Sequence, residues 1–161
     1  MMWKKFQIPA EYLKKRVDDS SFKRWAQSVG EGEHKHSVYL RGFASDEGVV
    51  ANLGRDGAAM GPEHFRKAFY KMPATVDLQI MDEGDFVEGS LSLTESHNWV
   101  RENGPKGRHS LNVSVGGGHD WAAVDFDFPG MQIIHIDTHL DVRPCNPETL
   151  HFGFAFSLSR E

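Results

Sequence analysis

The sequence predicts an α/β protein with a mostly parallel sheet, and three observations support this class. Short runs of alternating apolar and polar residues recur along the chain, and segments with apolar residues at helical spacing separate them. One of the runs, 131–136, has consecutive apolar residues at Ile133-Ile134, as in a strand buried on both faces. Glycine, histidine and aspartate cluster where two of the runs end, and α/β proteins gather their sites at the carboxyl ends of parallel strands.

The first half of the chain predicts surface helices, a strand, a loop and a further helix. Residues 11–29 carry apolar side chains at helical spacing and predict one or two surface helices. Residues 37–43 alternate as a strand, and a polar, glycine-rich loop is expected over 44–61. Pro62 fits the first turn of a helix that Pro73 is expected to end.

The second half continues this alternation of strands and helices. The predicted elements are a strand that includes 76–80 and leads into the acidic segment 82–85, a helix within 90–103, a strand at 111–115, a short helix over 121–126 and a buried strand at 131–136. Asp82 and Asp85 are expected to serve as capping or turn residues rather than in acid–base chemistry. Because no repeat or interdomain linker interrupts the pattern, residues 1–161 predict one three-layer domain.

Composition limits the classes of function. A chain of 161 residues with 39% apolar and 25% charged residues fits one soluble globular domain. Its net charge of −5 argues against a nucleic-acid partner, which requires a basic surface. The single cysteine cannot form an internal disulfide, and neither a signal peptide nor an apolar run of about 18 residues is evident. These features predict a cytoplasmic protein without a membrane partner.

A candidate metal centre is the most specific functional signal. Asp137, His139 and Asp141 alternate along an extended segment, so their side chains project to one side at about 6.6 Å intervals. His119 follows three glycines at the end of another predicted strand. Imidazole and carboxylate donors without thiolate suit Mn²⁺, Zn²⁺ or Fe²⁺. The alternative interpretation is a polar strand end whose side chains bond helix amides.

The motifs of this chain resemble those of the ureohydrolase superfamily, the manganese enzymes that include arginase, agmatinase and formimidoylglutamase. They follow the family order over about residues 38–144. They are Gly42-Phe43, Asp46-Glu47-Gly48-Val49, Asn52-Leu53-Gly54-Arg55, Gly57-Ala58-Ala59 with Gly61-Pro62, Asp82-Glu83-Gly84-Asp85, Gly116-Gly117-Gly118-His119-Asp120 and Asp137-Thr138-His139-Leu140-Asp141. The resemblance is greatest to the formimidoylglutamase branch.

This resemblance implies an arginase-like fold and two bound Mn²⁺ ions. His119 and Asp141 would be terminal ligands of one ion, His139 a terminal ligand of the other, and Asp137 a bridge between them. A hydroxide held between the ions would be the nucleophile, and no side chain is assigned as a catalytic group. The implied reaction cleaves a C–N bond of a linear amidine, converting N-formimidoyl-L-glutamate to L-glutamate and formamide in histidine breakdown. A guanidine such as agmatine or guanidinobutyrate is the alternative substrate.

The same resemblance connects further residues to the site. Asn52 and Arg55 lie in a loop that approaches the active site in the family, and Arg143 would pair with a substrate carboxylate. Turn geometry is the other interpretation of the loop, and an ion pair with a neighbouring acid is the other interpretation of Arg143. Asp120 is expected either to support the metal ligands from behind or to cap a helix that begins near Trp121.

The last part of the sequence departs from the family pattern. The family has a later Ser-x-Asp-x-Asp segment whose aspartates complete both metal shells, and these 161 residues contain none. Residues 145–161 also diverge, so we expect the N-terminal half of the fold, with a sheet incomplete at its C-terminal end. A shortened, non-catalytic metal-binding or interaction module is therefore the alternative to an enzyme. Exposed strand edges would favour a homo-oligomer.

Overall fold

The computed structural model describes residues 2–14, 23–30, 37–103 and 111–125, together with Ile134 and Ile136. The strands are β1 (Trp3–Lys4), β2 (Ser37–Phe43), β3 (Gln79–Phe86) and β4 (Leu111–Val115). The α-helices are α1 (Ala10–Leu13), α2 (Glu47–Ala51), α3 (Gly61–Phe69), α4 (Leu93–Asn103) and α5 (His119–Asp125), and two 3₁₀ helices span Trp25–Ser28 and Ala58–Met60. Within these residues, no helix is long and apolar enough to cross a bilayer.

The four strands form one sheet in the order β1-β3-β2-β4. β2 pairs in parallel with both β3 and β4, and β1 adds an antiparallel strand beside β3. The prediction of a mostly parallel α/β sheet is confirmed. Because β2, β3 and β4 run in the same direction, their carboxyl ends meet at one edge, where the loops before α2 and α5 begin.

A bulge in β3 distributes its apolar side chains to both faces of the sheet. Val38 pairs with Ile80 and Phe43 pairs with Phe86, and the register shifts midway between these pairs. Val38 and Phe43 are five positions apart on β2, so alternation turns them to opposite faces. The bulge allows Ile80 and Phe86 to do the same although they are six positions apart.

Two apolar cores result, one on each face. The first contains Tyr12, Trp25, Ala26, Leu40, Tyr70 and Ile80, and the second contains Phe43, Phe86, Val100, Trp121 and Val124. The first core packs α1, α3 and the 3₁₀ helix at Trp25–Ser28 against the sheet, and the second packs α4 and α5. The described residues therefore form the three layers that the sequence predicts.

A buried arginine joins α3 to the bulge. Arg66 is 1% exposed, and its guanidinium donates to both carboxylate oxygens of Asp82 at 2.8 Å, to Asp85 and to the carbonyl of Gly84 at 3.0 Å. Burial opposes the charge of Arg66, but the hydrogen bond and charge of Asp82 and the charge of Asp85 outweigh it and raise the guanidinium pKa. The buried hydroxyl of Tyr70 also donates to Asp82.

Several element boundaries differ from the predictions. The helix at Pro62 ends at Phe69, well before Pro73, because the amides of Lys71 and Met72 bond carbonyls three residues back and tighten the last turn. The second strand begins at Gln79 rather than 76, since the amide of Leu78 bonds the carbonyl of Val76 in a tight turn.

The expected loop at 44–61 holds α2 and a 3₁₀ helix, because tertiary contacts order these short segments. The short helix expected at 121–126 begins two residues earlier, at His119. The segment 11–29 forms α1 and one 3₁₀ helix where it is described, and 15–22 lies outside the described residues.

The buried strand predicted at 131–136 is described only at Ile134 and Ile136. Their side chains are 88% and 92% exposed, which contradicts the expected burial of Ile134. No strand of the described part of the chain pairs with either residue, so nothing there covers them.

Replacing Arg66 tests the network at the bulge. We expect Arg66→Met to lower the free energy of unfolding by about 3–5 kcal/mol, because it leaves the carboxylates of Asp82 and Asp85 without their buried cation. Urea denaturation followed by circular dichroism measures this change. Lys67→Met on the same helix is the matched control, because its ion pair with Glu63 is exposed and its loss should change stability little. Equal effects of the two variants would contradict this assignment.

Candidate functional site

Of the four predicted metal ligands, the structure describes His119. Asp137, His139 and Asp141 lie outside the described residues, as does Arg143. His119 is the first residue of α5, and only Gly116–Gly118 separate it from the end of β4. Its side chain is exposed at the edge where the carboxyl ends of the parallel strands meet.

The glycines before His119 allow a tight backbone path. Gly116 and Gly117 have φ of +89° and +64°, which favour glycine. A Cβ on Gly116 would lie 2.5 Å from Pro62 Cδ and 2.8 Å from the carbonyl oxygen of Phe43. A Cβ on Gly117 would lie 2.1 Å from the Trp121 ring. Gly116 and Gly117 therefore allow close backbone approach.

Trp121, two residues after His119, fixes α5 in the second core. Its indole is 1% exposed and stacks on Phe43 with ring centroids 4.8 Å apart and planes 15° apart. Phe86 lies 5.3 Å from the indole, and His97 meets it edge-on at 4.7 Å. The backbone amide of Trp121 bonds the carbonyl of Gly118 at 3.2 Å. Aromatic packing therefore holds the first turn of α5 in place.

Asp120 is buried and pairs with a histidine from α4. The imidazole Nε2–H of His97 donates to Asp120 Oδ2 at 2.8 Å, and each residue is 3% exposed. Asp120 lies inside the first turn of α5, which begins at His119, so the expectation that it caps a helix starting near Trp121 is wrong. A Cβ on Gly48 would lie 2.6 Å from Asp120 Oδ2, so α2 also packs closely on this carboxylate.

Sequence reasoning did not identify His97. A signal was present, because Leu93, Ser96, His97 and Val100 recur at helical spacing and form the inward face of α4. A histidine on an apolar helix face needs a polar partner. The identity of that partner depends on how α4 packs on α5, and local sequence does not give this.

Glu88 and Ser45 lie beyond the carboxyl ends of β3 and β2. Partial burial raises the pKa of the Glu88 carboxyl, its hydrogen bond with Ser45 opposes this, and the charge of Glu47 adds to the rise. Glu88 Oε1 is buried and accepts no hydrogen bond from the described residues. Polar groups therefore continue along this edge of the sheet on the side away from β4.

The predicted substrate residues Asn52 and Arg55 lie in the turn after α2. The backbone amide of Asn52 bonds the carbonyl of Val49 at 3.2 Å and ends the helix, and Leu53 then adopts φ of +60°. Arg55 is exposed. Asp46 Oδ1 accepts backbone hydrogen bonds from Gly57 and Ala59, both at 2.9 Å, and anchors the far end of this turn. A substrate role for Asn52 and Arg55 stays a prediction.

The donors of the predicted metal centre fit manganese by their chemistry. His119 and His139 offer imidazole nitrogens, and Asp137 and Asp141 offer carboxylates, a donor set suited to Mn²⁺. In the part of the chain that the structure describes, no group of three or more His, Cys, Asp or Glu side chains could hold a metal ion. The predicted centre therefore depends on the three donors at 137–141 in addition to His119.

Comparison with known proteins identifies the class. Residues 36–158 match the model of the arginase family, and the chain therefore belongs to this family. Within it, the chain is similar to formimidoylglutamases. It is 33% identical to that of Legionella pneumophila (strain Paris) over 122 residues, covering 68% of this chain and 36% of the relative. It is 32% identical to that of Chromobacterium violaceum over 150 residues, covering 86% of this chain and 48% of the relative. The chain thus spans between about a third and a half of these relatives.

Solved structures agree with this assignment. The crystal structure of Trypanosoma cruzi formiminoglutamase with Mn²⁺ superposes with a TM-score of 0.71 and 29% identity, over 84% of this chain and 52% of that one. Formimidoylglutamase from Bacillus subtilis has a TM-score of 0.52 at 16% identity, over 72% and 42% of the two chains, and supports the fold alone. The predicted arginase-like fold and the resemblance to formimidoylglutamases are confirmed.

Glu88 and Glu95 are expected to affect the stability of the fold with opposite pH dependences. Because the folded pKa of Glu88 is raised, the native state binds more protons than the unfolded state between the ordinary glutamate pKa of 4.5 and the folded value. Stability is lost as pH rises through that window. Glu88→Gln should therefore raise the free energy of unfolding more at pH 7 than at pH 4. Urea denaturation at the two pH values measures this difference.

Glu95→Gln is the matched control for this experiment. Hydrogen bonds from the side chain and backbone amide of Ser92 lower the pKa of Glu95, so its contribution is present above pH 4.5 and lost as pH falls through the folded value. Glu95→Gln should lower stability at pH 7 more than at acidic pH. Parallel pH profiles of the two variants would contradict the assignment.

Proposed function

We propose that this chain supplies part of the active site of a manganese-dependent hydrolase that cleaves a C–N bond of a linear amidine, with N-formimidoyl-L-glutamate as the substrate. The observation that carries the proposal is the arginase-family match over 36–158, which includes all four candidate ligands in order. Similarity to formimidoylglutamases favours this substrate over a guanidine. A cytoplasmic role in histidine breakdown belongs to the same proposal.

The metal would be held by His119, Asp137, His139 and Asp141. When bound, Mn²⁺ lowers the pKa of water and polarises the carbon that is attacked. His119 supports this role because its imidazole is exposed at the sheet edge while the residues after it are buried. Such a placement puts the imidazole at the surface, where an ion can reach it, without exposing the core.

The negative charge of the proposed substrate explains why Arg55 and Arg143 are candidates for binding it. N-Formimidoyl-L-glutamate carries two carboxylates, and guanidinium groups bind carboxylates through paired N–H donors. Arg55 and Arg143 are the candidates for these contacts, and Asn52 is a candidate for a further hydrogen bond. Arg55 is exposed in the turn after α2 and is therefore accessible to a ligand.

A second candidate function is a non-catalytic metal-binding or interaction module of the same family. This candidate concerns the 161 residues taken by themselves, which do not include the Ser-x-Asp-x-Asp segment that the family resemblance places later in the chain. Such a module would bind at most one ion weakly and would not turn over an amidine.

Manganese binding distinguishes the two functions. Retention of two ions by the chain after Mn²⁺ loading and desalting, measured by elemental analysis, would mean that a rearrangement or a partner copy completes the site, and Asp137→Asn should then lose both. His119→Ala should lose one ion. His64→Ala is the matched control, because His64 is exposed on α3, which carries no candidate ligand, and its loss should leave the stoichiometry unchanged.

Turnover tests the substrate. Release of formamide from N-formimidoyl-L-glutamate by the loaded chain, with agmatine unable to compete, would support the enzyme. One ion or none, together with no formamide release, would support the module. Retention of both ions by Asp137→Asn would refute the ligand assignment.

A further inference from the structure

His119 is an exposed residue whose chain neighbours are rigidly held. Asp120 and Trp121 are 3% and 1% exposed, and the glycine before them, Gly117, packs against the indole. A metal ligand needs a backbone position fixed to a fraction of an ångström, and its own exposed side chain cannot provide that. The groups that hold Asp120 and Trp121 therefore help to fix the backbone of His119.

One side chain contacts both of these residues. The His97 ring donates through Nε2–H to Asp120 Oδ2 at 2.8 Å and meets the Trp121 indole edge-on, with centroids 4.7 Å apart and planes at 86°. The ring is 3% exposed, so its hydrogen bond to the carboxylate is shielded from water.

The α4 helix that carries His97 is fixed independently. Val100 is 2% exposed in the second core, and Trp99 packs on Phe86 with centroids 5.6 Å apart. Ser92 and Glu95 close the first turn of α4 through reciprocal hydrogen bonds. His97 thus connects a rigid helix to the first turn of α5.

On the other side, α2 closes over the same carboxylate. A Cβ on Gly48 would lie 2.6 to 2.8 Å from the carboxyl group of Asp120. Asp120 is therefore held between the imidazole of His97 and the backbone of Gly48. A carboxylate confined in this way cannot find water without moving the turn that includes His119.

We propose that His97 is a positioning residue for the metal site, which acts through Asp120 and Trp121 to fix the backbone of His119. The assignment rests on the proposed function in so far as His119 binds the metal. It adds to that function a buried residue from a separate helix, which acts through Asp120 and Trp121. Its loss should loosen the ligand turn selectively and weaken manganese binding.

Amide hydrogen exchange of the metal-free chain tests the positioning role. In His97→Leu, we expect the amide of Trp121, which bonds the carbonyl of Gly118, to exchange about tenfold faster or more, while the amides of β2, which require global opening, change less. His97→Gln should restore slow exchange, because its amide nitrogen lies near the position of Nε2 and can donate to Asp120.

Val100→Ala is the matched control. It removes buried volume from the same helix without touching Asp120, so any increase in exchange should affect β2 and the Trp121 amide alike. If His97→Leu follows the pattern of Val100→Ala, or if His97→Gln does not restore protection, the proposal is wrong. Should His97→Leu fail to fold, His97→Asn replaces it, because the shorter amide cannot reach Asp120.

Manganese titration gives a second readout. The half-saturating Mn²⁺ concentration should rise about tenfold or more in His97→Leu and return close to its original value in His97→Gln. Unchanged affinity in His97→Leu would overturn the positioning role. If the unaltered chain binds no Mn²⁺, the proposed function fails, and the exchange measurement still decides whether His97 fixes the turn.

Discussion

The buried ion pairs of Arg66 are the constraint on which the two cores depend. Its guanidinium binds Asp82, Asp85 and the carbonyl of Gly84, and these residues flank the bulge in β3. A lysine could not replace this arrangement, because one ammonium lacks the planar fork that spans two carboxylates and a carbonyl. The bulge in turn lets Ile80 and Phe86 face opposite sides of the sheet. Without it, Ile80 and Phe86 would lie on the same face of the sheet.

Close backbone contacts connect α3 and the sheet to the segment that precedes His119. Pro62, in the first turn of α3, packs against Gly42 of β2 and Gly116 after β4, and any side chain at either glycine would collide with it. The same helix carries Arg66. Ion pairs therefore hold α3 to β3, and van der Waals contact holds it to the glycine segment before His119. Packing at this density allows little relaxation. The position of His119 is thus coupled to both faces of the sheet.

Much of the fold was predictable because its signals are local. The strands at 37–43 and 111–115 alternate and are followed by turn residues, and α4 shows a clear helical spacing. The acidic half of β3 was not predictable in this way, since aspartate is unfavourable in strands and the partners of Asp82, Arg66 and Tyr70, come from another part of the chain. The five residues of α2 were missed for a similar reason, because a helix this short needs tertiary contacts.

The candidate site also has some features that local sequence predicts and others that depend on tertiary contacts. The position of His119 after β4 follows from the glycines and the strand pattern, whereas the His97 to Asp120 hydrogen bond depends on contact between two helices. The convergence of Asp137, His139 and Asp141 on His119 stays a prediction, because these three residues lie outside the described ones.

The distance of Asp137, His139 and Asp141 from His119 decides how tightly the proposed site binds manganese. A single exposed imidazole binds a divalent ion weakly, because the ion gives up well-bound water for one donor. Each further donor that is already held in place adds affinity at little additional entropic cost, as in any multivalent interaction. The rigid turn around His119 therefore contributes only when the segment 137–141 presents its own donors at the same edge. Affinity for Mn²⁺ consequently reports on the relation between these two segments rather than on His119 alone.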